Sequence, residues 1–89
     1  MKNGSRSGLK RSDLHEKIVK MEQGSRKVVY EGRHYLLSLQ HYAKGKVVKI
    51  WAEELGGNDF ISANYYPTLR LLKPCEMPVK KVETFLLSI

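Results

Sequence analysis

Four short apolar runs follow one another along the middle of this chain, and the connections between them constrain its fold strongly. The runs cover residues 27–31, 34–42, 46–55 and 60–66, and a fifth candidate, residues 68–72, follows Pro67. Parallel neighbours in a sheet need crossover connections of about a dozen or more residues, and these connections are much shorter. The runs are therefore predicted to form an antiparallel β-meander of three to five strands.

A helix is predicted before the meander. Ser12 or Asp13 is a suitable N-cap, and the acidic Glu16 follows in the first turn. One apolar stripe then recurs at helical spacing and consists of Leu14, Ile18 and Met21. Gly24 provides a natural end to this helix.

A second helix is predicted after the meander. Pro78 suits the first turn of a helix. Apolar side chains then repeat every three or four residues, at Val79, Val82, Phe85 or Leu86, and Ile89. The expected fold class is α+β, with an antiparallel β-meander of three to five strands and an N-terminal and a C-terminal helix packed on one face.

The two faces of the predicted sheet differ in composition. Alternate residues of a strand point to opposite faces, which puts one set of mainly apolar side chains on one face: Tyr35, Leu37, Leu39, Val48, Ile50, Ala52, Ile61, Ala63 and Tyr65. The other face mixes polar groups with aromatic residues. Residues 43–45 and 56–59 carry the glycines typical of hairpin turns. A sheet covered on one side shows this pattern.

Length and charge indicate one small domain with a basic N-terminal segment. Residues 1–9 are rich in Gly and Ser and are predicted to be a flexible basic tail, while residues 10–89 form a single α+β domain. The net charge is +7, with nine basic and four acidic residues in 1–34 against seven and five in 35–89. An excess of basic charge favours polyanionic partners.

Several chemical functions are disfavoured by the spacing of reactive residues. His34 and His41 lie an odd number of positions apart in one strand and therefore on opposite faces, as do Glu53 and Glu54. Neither pair can share a metal ion or a proton. Cys75 stands between prolines without a catalytic motif and is expected to be a buried or half-buried, inert thiol. We therefore expect no catalytic residues, no metal site and no cofactor.

Composition also bears on where the protein works. No apolar stretch is long enough for a transmembrane helix, so we expect no membrane insertion. A single cysteine excludes an internal disulfide framework and fits a reducing compartment. The expected location is the cytoplasm.

A non-catalytic binding function is the main expectation, with RNA or DNA as the first candidate partner. Aromatic side chains on a sheet can stack with bases, and neighbouring cations can bind phosphates. The predicted site combines the mixed face, the first hairpin and the basic N-terminal segment, and it contains His34, Tyr42, Lys44, Lys46, Lys49, Trp51, Lys10 and Arg11.

A protein partner is the alternative. Exposed Tyr and Trp are also enriched at the centres of protein interfaces. A small meander has edge strands that can pair with another protein or with a second copy of the same chain. An uncharacterised small enzyme is the third possibility.

Overall fold

The computed structural model describes the backbone of residues 6–89 and the side chains from Asp13 onwards. The elements are α1 (Arg6–Lys20), β1 (Gly24–Tyr30), β2 (Arg33–Tyr42), β3 (Val47–Glu54), β4 (Phe60–Tyr66), β5 (Leu71–Pro74) and α2 (Val79–Ser88). The five strands form one antiparallel sheet in the order β1-β2-β3-β4-β5. The predicted α+β fold class is confirmed. No described helix is both long and apolar enough to cross a bilayer.

Tight turns hold the strands in register. Glu31 and Gly32 join β1 to β2 with φ values of 52° and 76°, and a type I′ turn requires positive φ at both positions. The predicted loop at residues 43–45 is a tight turn in which the Lys46 N–H donates to the Ala43 carbonyl at 3.2 Å. In the β3–β4 connection, the Glu54 N–H donates to the Asp59 carbonyl at 2.8 Å, and Gly56 has a φ of 81°.

The hydrophobic core lies between the helices and one face of the sheet. α1 contributes Leu14 and Ile18, and α2 contributes Val82, Phe85 and Leu86. The sheet contributes the same apolar face that the two-residue period predicts: Tyr35, Leu37, Leu39, Val48, Ile50, Ala52, Ile61, Ala63 and Tyr65. The assignment of faces is therefore confirmed.

The fifth strand begins three residues later than predicted. It covers Leu71–Pro74 instead of residues 68–72. After Pro67 the chain makes consecutive turns, in which the Leu69 N–H donates to the Tyr66 carbonyl and the Arg70 N–H to the Pro67 carbonyl, both at 3.1 Å. Arg70 also has a positive φ of 50°, so pairing with β4 starts only after it.

The helix boundaries also differ from the prediction. α1 begins at Arg6, several residues before the expected cap at Ser12 or Asp13. Residues 1–5 of the predicted flexible tail lie outside the described residues, and so do the side chains up to residue 12, so the tail remains a prediction. In α2 the predicted core residue Val79 is 44% exposed, because it is the first residue of the helix and precedes the buried stripe of Val82, Phe85 and Leu86 by about one turn.

The environment of Cys75 was predicted wrongly, because its thiol is exposed. The Cys75 N–H donates to the Ser62 carbonyl at 2.9 Å and continues the pairing of β5 with β4. Ser62 lies on the face of the sheet opposite the helices, and Cys75 is its neighbour at the sheet edge. Neither helix covers this position.

Candidate nucleic-acid interface

The face of the sheet opposite the helices carries the candidate interface and is called the open face below. Its side chains alternate with those of the core, and none of them is buried. From β1 to β5 they are Ser25, Lys27, Val29, His34, Leu36, Ser38, Gln40, Tyr42, Val47, Lys49, Trp51, Glu53, Phe60, Ser62, Asn64, Tyr66, Leu71 and Lys73.

A stacked aromatic pair lies near the middle of the open face. The Trp51 and Phe60 rings are 5.4 Å apart at an interplanar angle of 28°. Even so, Trp51 is 40% exposed and Phe60 is 36% exposed. The pair thus offers apolar surface that a planar ligand could cover.

Small side chains leave space beside this pair. The cross-strand neighbours of Trp51 are Ser38 on β2 and Ser62 on β4, and the Ser38 hydroxyl is hydrogen-bonded to that of Ser25 on β1 at 2.8 Å. The Trp51 indole N–H donates to a Glu53 carboxylate oxygen at 3.3 Å. The serines are too short to cover the indole, so a planar group can approach it across the sheet.

A polar row crosses the sheet next to the aromatic pair. In register it contains Gln40, Lys49, Asn64 and Lys73, one residue from each of β2 to β5. Two amides, which can hydrogen-bond base edges or sugars, thus alternate with two ammonium groups, which bind phosphate.

The charge of the open face is positive. Lys27, Lys49 and Lys73 belong to it, while Glu53 is the single carboxylate among its described side chains. One oxygen of Glu53 is already engaged, because it accepts the hydrogen bond of the Trp51 indole N–H. The open face is therefore suited to an anionic ligand with planar groups.

The described side chains of the predicted site are spread over the open face and the β2–β3 turn. Lys49 and Trp51 lie in the middle of β3. His34 and Tyr42 share the face but lie eight positions apart, near opposite ends of β2, which is about 26 Å at the usual rise of a strand. His34 and Tyr42 therefore cannot contact one compact ligand together with Trp51.

Two further predicted lysines lie on the β2–β3 turn. Lys44 lies within this turn and Lys46 follows it, and both are exposed. Ala43 and Lys44 have φ values of 54° and 57°, a conformation that is costly for residues with a side chain. The remaining predicted residues, Lys10 and Arg11, are in α1, and their side chains lie outside the described residues.

The sequence analysis did not include three residues of the open face in the predicted site: Phe60, Lys27 and Lys73. The alternation of β4 already placed Phe60 on the mixed face, but its contact with Trp51 depends on register. Glu53 is opposite Phe60, so Trp51 is its diagonal neighbour, within reach of aromatic rings. A precise length for the β3–β4 turn would have revealed this pair.

A second polar cluster joins the β3–β4 turn to α2. The Tyr35 hydroxyl donates to Asp59 Oδ2 at 2.7 Å, and Lys81 Nζ donates to Asp59 Oδ1 at 2.8 Å. Hydrogen bonds from Lys81 and Tyr35 lower the pKa of Asp59. Burial, followed by the hydrogen bond to Asp59, raises the pKa of Tyr35 to about 12. Neither group exchanges a proton readily near neutral pH, so the cluster serves to anchor α2.

The histidines do not converge with other ligands in the described part of the chain. His34 is exposed, whereas His41 lies on the helix-covered face with a buried, unpaired Nε2, so the two are on opposite faces as predicted. His15 Nδ1 is hydrogen-bonded to the Tyr65 hydroxyl at 2.6 Å. Among the described residues, no group of three or more His, Cys, Asp or Glu side chains is placed to hold a metal ion.

No family model, curated protein or solved structure matches this chain.

Proposed function

We propose that this protein is a non-catalytic module that binds single-stranded RNA or DNA on the open face of its sheet. The observation that carries this proposal is the exposed, stacked pair of Trp51 and Phe60, with Ser38 and Ser62 beside the indole. Stacking of a base on an aromatic side chain contributes about 1–3 kcal/mol and does not depend strongly on sequence.

Charge supports a nucleic-acid ligand. Lys49 and Lys73 lie in the polar row next to the aromatic pair, and Lys44 and Lys46 extend from the adjoining turn. These groups can bind phosphates on either side of a stacked base. The net charge of +7 attracts polyanions over longer distances. We propose that Lys10 and Arg11 make further contacts with the phosphates of the ligand.

A single strand fits the open face better than a duplex does. In a duplex the bases are already stacked on one another, so an aromatic pair on the face of a sheet has no free base to contact. In a single strand the bases can be splayed onto aromatic side chains while the backbone follows nearby cations. The amides of Gln40 and Asn64 lie in the row next to Trp51 and can bond base edges, although the Gln40 amide oxygen already accepts a hydrogen bond from the Tyr42 hydroxyl.

We also propose that the protein works in the cytoplasm. The chain has one cysteine, and its thiol is exposed. Exposed thiols persist in reducing compartments and are oxidised elsewhere.

Intrinsic fluorescence provides a direct test, because Trp51 is the single tryptophan of the chain. The protein is titrated with the oligonucleotides dT12 and rU12 and with a 12-base-pair duplex at several NaCl concentrations. We expect saturable quenching by the single strands, with log Kd rising linearly with log salt by about 0.7 per phosphate contact. Absence of binding at low salt, or tighter binding of the duplex, would contradict the proposal.

Variants separate stacking from charge. Trp51→Ala and Phe60→Ala should each weaken binding of fluorescein-labelled dT12 by about 1–3 kcal/mol without changing the salt slope. The double variant Lys49→Gln/Lys73→Gln should reduce the slope by about 0.7 for each lost contact. Lys80→Gln is the matched control, since Lys80 is exposed on α2 and away from the open face. If only net charge matters, Lys80→Gln, which removes one charge, should have half the effect of the double variant, which removes two.

A further inference from the structure

The first strand, β1, forms a free edge of the sheet. It covers seven residues, Gly24–Tyr30, contains no proline and pairs with β2 alone among the described strands. The edge strand on the other side, β5, has four residues and ends at Pro74. Edge strands with free backbone N–H and C=O groups can accept a further strand, and proline prevents this. Strand addition is therefore favoured at β1.

An open apolar cleft borders β1 on the helix-covered side of the sheet. It has a volume of about 580 Å³, and Met21, Val28 and Ile89 line it, with the buried Leu37 beneath them. Each of the three lining residues is half-buried. When a peptide adds to an edge strand, alternate side chains point to the same face, so an apolar residue of an added strand would enter this cleft.

The rim of the cleft is positively charged. Lys17, Lys20 and Arg26 lie on it together with one carboxylate, Glu22. Arg26 donates to the Glu22 backbone carbonyl, a neutral acceptor, so this bond leaves its positive charge unneutralised, while Lys17 donates to the main-chain oxygen of Ile89. Lys20 contacts Glu16 at 3.9 Å in an exposed pair, which is a weak interaction.

Charge decides between two occupants of this edge. A second copy of the chain paired through β1 would bring Arg26 and Lys27 of both copies close together, in a protein of net charge +7, and like charges facing each other across strands are destabilising. An acidic segment would instead neutralise the rim. Its apolar side chains would fill the cleft, and its backbone would satisfy the free groups of β1.

We propose that β1 accepts an extended acidic peptide of a protein partner as a sixth strand, with an apolar side chain in the adjoining cleft and carboxylates beside Lys20 and Arg26. Strand addition of this kind obtains affinity from main-chain hydrogen bonds and specificity from pockets for alternate side chains. The site lies on the helix-covered side and at the edge, and it does not depend on the nucleic-acid function proposed for the open face.

A display experiment tests this inference with a defined probe. Random octapeptides displayed on phage are selected on the full-length protein, and selected peptides are synthesised and measured by calorimetry. We expect enrichment of peptides in which apolar and acidic residues occur together. Lys20→Glu and Arg26→Glu should each weaken their binding at least tenfold, while Lys80→Glu, an equal change of charge at the start of α2 and outside the cleft, should have little effect. Unchanged melting temperatures show that the variants are folded. If Arg26→Glu does not fold, Lys20→Glu alone tests the contribution of the positive rim.

Hydrogen exchange locates the bound peptide. Backbone amides of β1 should exchange more slowly in the complex, while those of β5 should not change. Lack of enrichment, equal binding to the Lys20→Glu variant, or protection confined to β3 and β4 would each overturn the inference. Protection of β1 by dT12, with displacement of the peptide, would show that this edge binds polyanions in general and would equally overturn it.

Discussion

Asp59 shows most clearly how one residue connects local chemistry to the stability of the fold. Its carboxylate accepts hydrogen bonds from Tyr35 in the sheet and Lys81 in α2, and these bonds lower its pKa in the folded protein. A carboxylate with a lowered pKa stabilises the fold above its unfolded pKa, near 3.9, and this contribution disappears as pH falls through the folded pKa.

We therefore expect the free energy of unfolding to fall as the pH is lowered below about 4, where the unfolded chain binds the additional proton. Urea denaturation between about pH 6 and pH 2.5 measures this dependence. Asp59→Asn should be less stable than the wild type at pH 6, and the difference should shrink towards pH 2.5. Lys81→Gln keeps the carboxylate but removes its cation, so it should weaken the same pH dependence only partly. A constant difference at all pH values would show that Asp59 is not coupled to its partners.

The roles of single residues were the least predictable part of the site. Trp51 was placed on the exposed face by the two-residue period alone. Its contact with Phe60 required the register of β3 with β4, which depends on how the turn after Glu54 is built. Cys75 was misjudged because its exposure depends on the edge position of β5, and residue type gives no information about that.

At the scale of elements, α2 closes the core. Phe85 is fully buried, and its ring lies 5.2 Å from that of Tyr35 and 5.0 Å from that of Tyr30. Truncation would remove these contacts and leave a cavity. We expect Phe85→Ala to lower the free energy of unfolding by about 3–5 kcal/mol, a large part of the total for so small a domain.

Val79→Ala is the matched control in the same helix, because Val79 is 44% exposed; it should cost no more than about 0.5 kcal/mol. Thermal and urea denaturation of both variants check the prediction. Similar melting temperatures for Phe85→Ala and the wild type would mean that α2 contributes little to the core.

Periodicity predicted the elements well where packing on one side decides the structure. Strands β2, β3 and β4 match the predicted runs to within one residue at each end, because one face of each is buried and the other is solvated. Periodicity did not predict where β5 begins, because the consecutive turns after Pro67 are local and leave no periodic pattern. It also placed the start of α1 too late, since the side-chain cap signal at Ser12 or Asp13 does not stop a helix from extending further towards the N-terminus.

For the whole molecule, the excess of positive charge has two consequences of opposite sign. The described residues form three ion pairs, Lys20–Glu16, Arg33–Glu54 and Lys81–Asp59, while the full chain carries 16 basic and 9 acidic residues. Repulsion among the excess charges opposes compaction, whereas the same charges attract a polyanion. Salt screens both interactions.

Raising NaCl from about 10 to 150 mM shortens the Debye length from about 30 to 8 Å. The melting temperature should then rise by a few degrees, because repulsion within the folded protein is reduced. Affinity for dT12 should fall over the same range. Thermal denaturation and fluorescence titration in matched buffers measure the two effects on one sample. Since the protein becomes more stable as binding weakens, loss of affinity cannot be attributed to unfolding. A melting temperature that falls with salt would show instead that attractive ion pairs outweigh the repulsion.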